Sequence, residues 1–289
     1  MERRVATMVR GINVHGEAKL ATGATTSALC RAKRFEVVRV DAVMRMWLTG
    51  YRQHLRDWAE WCALHRRRMR LLFNWERKVP EEAAAAIEGA RSAVQYCLER
   101  CKVASVQLDN EPNEAVQQAG YVEFLAKLAA AMPFGIPLIS PAVTGRWGMA
   151  SEGEENSAQF RQASSIAQKT SFPYCSAIAA HGYTARDLGR NMKGAMRDWC
   201  EKLLGTSRRP GPVRVLAGSR PIVVTETGTT PALSGLTSHE ERWSAVSSTL
   251  TVLAGYGVEE ADVYAAADFR PEATSYGFVS DDGSARIRL

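Results

Sequence analysis

The sequence predicts an α/β fold, a (β/α)8 TIM barrel built from residues 1–289 as one domain. Three observations carry the prediction. Short β-branched runs alternate with longer amphipathic stretches from end to end, which is the pattern of a parallel sheet with crossover helices. Eight such runs are present. The length of 289 residues suits a closed barrel, which typically needs about 250.

The expected strands are Val5 to Val14, Glu36 to Asp41, Met69 to Trp75, Val103 to Asp109, Ile136 to Pro141, Cys175 to Tyr183, Pro221 to Glu226 and Ala261 to Ala267. Between them, apolar residues recur at three- and four-residue steps, clearest over Tyr51 to Arg67, Glu81 to Arg100 and Glu114 to Ala131. Glu155 to Gln168, Asp187 to Leu204 and Ser238 to Tyr256 continue the alternation, and Ser238 stands three residues before Glu241 as in a capping box. The Arg-, Pro- and Gly-rich segment Gly205 to Ser219 reads as a loop before the seventh strand. After the eighth strand, Phe278 to Leu289 reads as a short hairpin around Asp282-Gly283, so the final helix is expected to be missing or reduced. No internal repeat, low-complexity linker or compositional shift marks a domain boundary.

With 46% hydrophobic and 24% charged residues the chain can bury a large core, which excludes a disordered class. The formal charge of +6 favours anionic surroundings without naming one. Its densest cationic run, Arg66-Arg67-Arg68, follows a helical pattern and reads first as a solvated helix end. Cys30, Cys62, Cys97, Cys101, Cys175 and Cys200 are scattered and contain no CxxC pair, so reduced, packed thiols are expected. Cys97 and Cys101 lie one helical turn apart, but no His pair stands near them, and no metal is expected. The first residues lack an apolar signal-peptide core and no stretch approaches the ~20 apolar residues of a membrane span. Synthesis in the cytoplasm is the expectation, with release by lysis as a route to outside polymers.

In such barrels chemistry sits at the carboxyl ends of the strands. Two glutamates stand there. The fourth strand runs through Leu108-Asp109 into Asn110-Glu111-Pro112, where Pro112 cannot extend the ladder and the chain must turn with Glu111 at the rim. The seventh strand ends in Thr225-Glu226-Thr227. Cleavage of a glycosidic bond needs a proton for the leaving oxygen and a carboxylate on the opposite face of the sugar, and this pair of residues supplies both. Aromatic and polar residues near the rim could flank a sugar: Asn74 and Trp75 after the third strand, Trp147 after the fifth, Trp47 after the second and His15 after the first. Trp58 and Trp61 fall in a helical pattern and belong to the core.

The order of these landmarks resembles the retaining glycoside hydrolases of clan A, including the cellulase-like family 5 and the xylosidase-like family 39. Asn110-Glu111-Pro112 looks like that clan's fourth-strand Asn-Glu-Pro, and Thr225-Glu226 like its seventh-strand nucleophile. Val38-Arg39-Val40 is similar to its second-strand end, Gly11-Ile12-Asn13-Val14-His15-Gly16 to its first, and His181-Gly182-Tyr183 to its sixth-strand His-x-Tyr. The resemblance implies Glu111 as acid/base and Glu226 as nucleophile. It also implies Asn110 as a donor to the sugar 2-hydroxyl, Arg39 as support for the nucleophile, and Tyr183 in contact with it. A raised pKa is required of Glu111 if it is to enter protonated.

The expected activity is therefore retaining hydrolysis of a poly- or oligosaccharide, with no cofactor, no nucleic-acid partner and no membrane partner. Oligomeric state, sugar and linkage stay open. The clan's tryptophan after the eighth strand has no counterpart in Val263-Tyr264-Ala265-Ala266-Ala267-Asp268-Phe269, where Tyr264 and Phe269 are the nearest aromatics. That departure motivates the alternative of a catalytically weak glycan- or cell-wall-binding barrel.

Overall fold

The computed structural model describes residues 8–14, 23–50, 52–75, 79–110, 119–144, 174–182, 191–229, 235–236, 238–265, 278 and 287–288. Nine parallel strands form one sheet: β1 (Val9–Val14), β2 (Val37–Val43), β3 (Arg68–Asn74), β4 (Lys102–Gln107), β5 (Leu138–Ile139), β6 (Val143–Thr144), β7 (Ile178–His181), β8 (Ile222–Thr227) and β9 (Glu260–Val263). Their order is β5-β4-β3-β2-β1-β9-β8-β7-β6. The two ends of this sheet, β5 and β6, belong to one short segment, and the parallel bridge between Ile139 of β5 and Ala177, just before β7, spans the gap. β5 and β6 thus share one stave, and the eight staves form a nearly closed barrel.

The split fifth stave has a local cause. Pro137 and Pro141 bracket it, and proline donates nothing to a ladder. Ser140 compensates between them: its backbone N–H donates to the Ala177 carbonyl at 3.1 Å and its Oγ accepts from the Ala179 N–H at 2.9 Å.

The helices follow the apolar spacing. They are α1 (Gly23–Ala32), α2 (Met44–Leu48), α3 (Gln53–Leu64), α4 (Ala83–Leu98), α5 (Tyr121–Ala131), α6 (Met192–Leu203), α7 (Pro212–Ala217) and α8 (His239–Gly255). In α3, Leu55, Trp58, Ala59 and Cys62 recur on one face and are buried together with Trp61. α6 repeats the device with Met192, Ala195, Met196, Trp199 and Leu203, and packs against α8. Ser238 caps α8 by accepting from the Glu241 N–H, as its spacing predicts.

One expectation is corrected: Gly205 to Ser219 is not all loop. It contains α7, started by Pro212, whose fixed φ suits the first helical turn, and held by burial of Val213, Leu216 and Ala217. The expected helix Glu155 to Gln168 lies outside the described residues, as does nearly all of the segment after Ala265, including the proposed hairpin and the reduced last helix. No helix among the described residues is long and apolar enough to cross a membrane.

Strand alternation sorts the side chains into two environments. Val38, Val40, Met69, Leu71, Phe73, Val106, Ile178, Val224, Ala261 and Val263 join the apolar layer under the helices. The alternate positions carry polar groups into the barrel interior. Arg70 of β3 is fully buried and ion-paired with Asp262 and Glu260 of β9, and it donates to Ser105 of β4 at 3.0 Å. Gly11 of β1 lies so close to the Asp262 carboxylate that a Cβ there would collide with it, so the residue must be glycine for this pair to be seated.

The cysteines are free thiols. Burial pushes Cys30 and Cys101 up to about 11 and Cys175 and Cys200 up to about 12, so these side chains behave as packing groups rather than nucleophiles. Cys97 is buried in the core, with Cys101 packed against it.

Candidate active site

Beside Arg70, whose register partner on β2 is Arg39, a second set of inward side chains converges towards the carboxyl ends of the staves. Arg39 of β2 is its hub, only 3% exposed. Its Nη1 donates to Glu226 Oε1 at 2.8 Å, its Nη2 to Asn110 Oδ1 at 2.9 Å, and its Nε to Gln107 Oε1 at 3.0 Å. One planar guanidinium thus ties β2 to β8 on one side and to the end of β4 on the other. Burying two opposite charges is costly unless geometry and further hydrogen bonds compensate. Here every guanidinium nitrogen has an acceptor, and the pair is of the short charge-assisted type.

Local backbone geometry aims Glu226 at this hub. The register of β8 against β9 shifts between Val224 and Thr227, and that of β7 against β8 shifts between Ala180 and His181. Such bulges turn a side chain out of the regular alternation. His181 and Glu226 become partners across the β7–β8 pair, with His181 Nδ1 3.6 Å from Glu226 Oε2. Glu226 is 7% exposed, so its carboxylate lies under the rim rather than on the open surface. Its backbone carbonyl accepts from the Gly182 N–H at 2.8 Å, and Thr227 Oγ1 donates to the Gly182 carbonyl at 2.9 Å, which locks the ends of β7 and β8 together.

The chain entering the Asn110 turn is held as firmly. Gln107 Nε2 donates to the Asp109 carbonyl at 2.9 Å, and the Asp109 carboxylate accepts from the Asn110 N–H at 2.7 Å and from the Tyr121 hydroxyl of α5 at 2.5 Å. Complete burial pushes Asp109 up to about 6, against the lowering effect of the bonds from Tyr121, Asn110 and Trp75; the charge of Asp41 adds to the rise.

Of the residues expected from sequence, the structure brings Arg39, Asn110, His181 and Glu226 into one cluster. Asn74 is one step away, at the end of β3, where its Nδ2 donates to Asp41 Oδ2 at 3.1 Å. Trp75 is reassigned. Its ring is 6% exposed, packs edge-on against Phe124 with centroids 5.0 Å apart, and sends its Nε1 hydrogen to the Leu108 carbonyl at 3.0 Å, so it forms wall rather than sugar platform. Trp47 likewise is buried, against Tyr96 and beneath Arg52. Glu111, Tyr183, Trp147 and His15 lie outside the described residues.

Three residues of the cluster had not been singled out: Gln107, Asp109 and Asn13, whose Nδ2 donates to the Thr225 carbonyl at 3.1 Å. The signal for two of them is in the sequence, since Ser105, Gln107 and Asp109 place a polar group at every second position of an otherwise apolar strand.

No protein-family model and no curated protein sequence matches the chain. Solved structures do. An endo-1,4-beta-D-mannanase from Thermotoga petrophila superposes with a TM-score of 0.60 at 11% identity, covering 96% of this chain and 96% of that one. A fungal beta-1,4-galactanase gives 0.64 at 8% identity, with 96% of each chain covered. A thermostable mutant of a xylanase from Cellvibrio japonicus gives 0.60 at 12% identity, covering 97% and 95%. At these identities the likeness is one of architecture, and over nearly its whole length the chain has the (β/α)8 barrel that these carbohydrate-cleaving enzymes share.

Proposed function

We propose that the chain is a retaining glycoside hydrolase acting on a poly- or oligosaccharide, with Glu226 as nucleophile and Glu111 as acid/base. The observation that carries this reading is the Arg39 bridge. A single guanidinium binds the Glu226 carboxylate and the amide of Asn110, the residue next to Glu111, so two staves on different sides of the barrel are tied at one point of the mouth. Retention requires the two carboxyl groups to face each other at about 5–5.5 Å. The sharing of the barrel with a mannanase, a galactanase and a xylanase supports a carbohydrate substrate.

In the first step a Glu226 oxygen attacks the anomeric carbon while the glycosidic C–O bond breaks and the Glu111 proton passes to the leaving oxygen. In the second, water attacks the same carbon, gives its proton to Glu111 and releases Glu226. Arg39 compensates the Glu226 charge before attack and again as water releases the carboxylate, and His181 flanks the same group. Asn110, with Oδ1 fixed by Arg39, has its amide nitrogen to offer to the sugar 2-hydroxyl.

Product analysis on a panel of polysaccharides that includes peptidoglycan tests the reading. Hydrolysis of one of them by the natural chain and its loss in both Glu226→Gln and Glu111→Gln is the expected result. Near-normal hydrolysis by Glu226→Gln overturns the assignment. A second reading, a barrel that binds glycan without efficient turnover, is favoured by Tyr264, which is buried at the end of β9 where the resemblance expects tryptophan. Binding of a polysaccharide with no products from it or from activated aryl glycosides would establish that alternative.

A further inference from the structure

The opposite end of the barrel carries a second concave surface. Arg68 and Lys102 are the first residues of β3 and β4, so the cleft of about 450 Å³ that they line lies at the amino ends of the staves, away from Glu226. Arg66, Arg67 and Arg100 complete a set of five cations around it, with Glu99 the carboxylate of the lining.

The charges there do not balance. Arg68 is paired with Glu36 at 3.3 Å and Arg100 with Glu99 at 3.2 Å. Arg66, Arg67 and Lys102 form no ion pair among the described residues. Arg67 gives its Nη1 to the Phe35 carbonyl at 2.8 Å, while its buried Nε has no hydrogen-bond partner. The solvated-helix-end reading accounts for part of this. α3 and α4 both finish at the cleft, and each helix end contributes roughly half a negative charge. About two positive charges remain uncompensated.

Arg66 is also an unusual choice on backbone grounds. It closes α3 at φ +52°, with Arg67 N–H returning to the Cys62 carbonyl at 2.9 Å, a helix ending in which glycine is the favoured residue. The arginine therefore sits there against its local conformational preference. The same positive field acts on His65, whose pKa is lowered by desolvation first and by Arg31 and Arg67 next.

We infer that this cleft is a binding site for the phosphate group of a small phosphomonoester. A dianionic phosphate matches the uncompensated charge. The exposed Arg66 can turn its guanidinium fork to a pair of phosphate oxygens, Arg67 adds its charge beside it, and the exposed Lys102 adds a compact point charge. The cleft is open, with Arg66, Glu99, Arg100 and Lys102 exposed around it, and is larger than a bare ion needs, so an organic part can follow the phosphate while staying partly in solvent. The inference is independent of the chemistry assigned to the other face.

The test is calorimetric titration of the full chain at low salt with glucose 6-phosphate, with inorganic phosphate and with a short DNA duplex. It is repeated on the double variant Arg66→Gly/Lys102→Ala, in which glycine suits the helix ending and so protects folding. Glucose 6-phosphate should bind more tightly than inorganic phosphate, and the variant should lose about tenfold or more in affinity, the effect of removing charged contacts to one phosphate. Its thermal midpoint should not fall. Arg209→Ala, an exposed cation outside the cleft, should bind as the natural chain does. No binding at millimolar ligand, or binding unchanged in the double variant, overturns the site. Equal affinity for the two phosphates overturns its organic half, and tighter, variant-sensitive binding of DNA overturns the small-ligand assignment.

Discussion

Arg39 and Glu226 stand 187 positions apart in the chain and meet at 2.8 Å, with side chains only 3% and 9% exposed. Such a pair is expensive to form and more expensive to break. Arg39→Met should leave the Glu226 carboxylate buried without its cation and cost about 3–5 kcal/mol of stability. Adding Glu226→Gln to that variant should restore much of the loss, because the stranded charge is gone. Urea unfolding of the two single variants and the double variant measures this coupling, and additive losses would mean that the pair does not interact as the geometry implies.

Glu111 can be probed separately from Glu226. If it supplies the proton and later activates water, Glu111→Ala should lose most activity on substrates with poor leaving groups and far less on aryl glycosides that need no acid. Azide should then accelerate the variant and yield a glycosyl azide of retained configuration, because a small anion replaces water without needing a base. Chromatography of the products decides, and an unreactive azide arm with a fully active variant would remove Glu111 from the mechanism.

Asp109 makes a prediction about pH. Its carboxyl stands at about 6 in the fold against an ordinary 3.8, so between those values the folded chain holds a proton that the unfolded chain has released. Stability must therefore fall as pH rises from about 4 to about 6, by roughly 3 kcal/mol for this group alone. Asp109→Asn removes that dependence while keeping Oδ1 for the Asn110 N–H and setting an amide NH2 against the Tyr121 hydroxyl, which can accept from it. The variant's stability relative to the natural chain should thus be more favourable at pH 7 than at pH 4. Denaturant titrations at the two values test it, and a difference that does not change with pH would contradict the assigned burial.

The Arg70 ion pairs should behave differently from the Arg39–Glu226 pair. Arg70 is ion-paired with Asp262 and Glu260, whereas Glu226 is paired with its neighbour Arg39, whose charge also acts on Asp262. Arg70→Met should destabilise by about 3–5 kcal/mol through the unpaired carboxylates it leaves. At a temperature where it stays folded it should keep turnover, because Arg39 still binds Glu226 directly. Steady-state kinetics on the folded variant would contradict this if kcat were lost as completely as in Glu226→Gln.

The parts of this fold that were legible in the sequence are those governed by local periodicity. Eight runs became eight staves, the 3.6-residue faces of α3, α4 and α6 became the outer core, and Ser238 capped α8 where its spacing to Glu241 said it would. Glu226 is legible as a carboxylate at a strand end, and Arg39 through the resemblance of Val38-Arg39-Val40 to a second-strand end. Features that depend on pairing between distant strands were not legible. The bulges that turn His181 and Glu226 toward each other arise from the register of β7, β8 and β9, and no single segment encodes them. α7 was missed because its flanking glycines, prolines and arginines outweigh six helical residues. Trp75 illustrates a different limit: an aromatic at a strand end can face the mouth or the wall, and only Phe124 and the Leu108 carbonyl decide that it is wall.

The most direct test of the central claim is covalent trapping. A 2-deoxy-2-fluoro glycoside with a good leaving group, matched to whichever sugar the product panel identifies, should inactivate the enzyme with a stoichiometry of one. Peptide mass spectrometry should then find the fluorosugar ester on Glu226. A label on another residue, or continued turnover of natural substrate by a chain whose Glu226 is replaced by glutamine, would contradict the account.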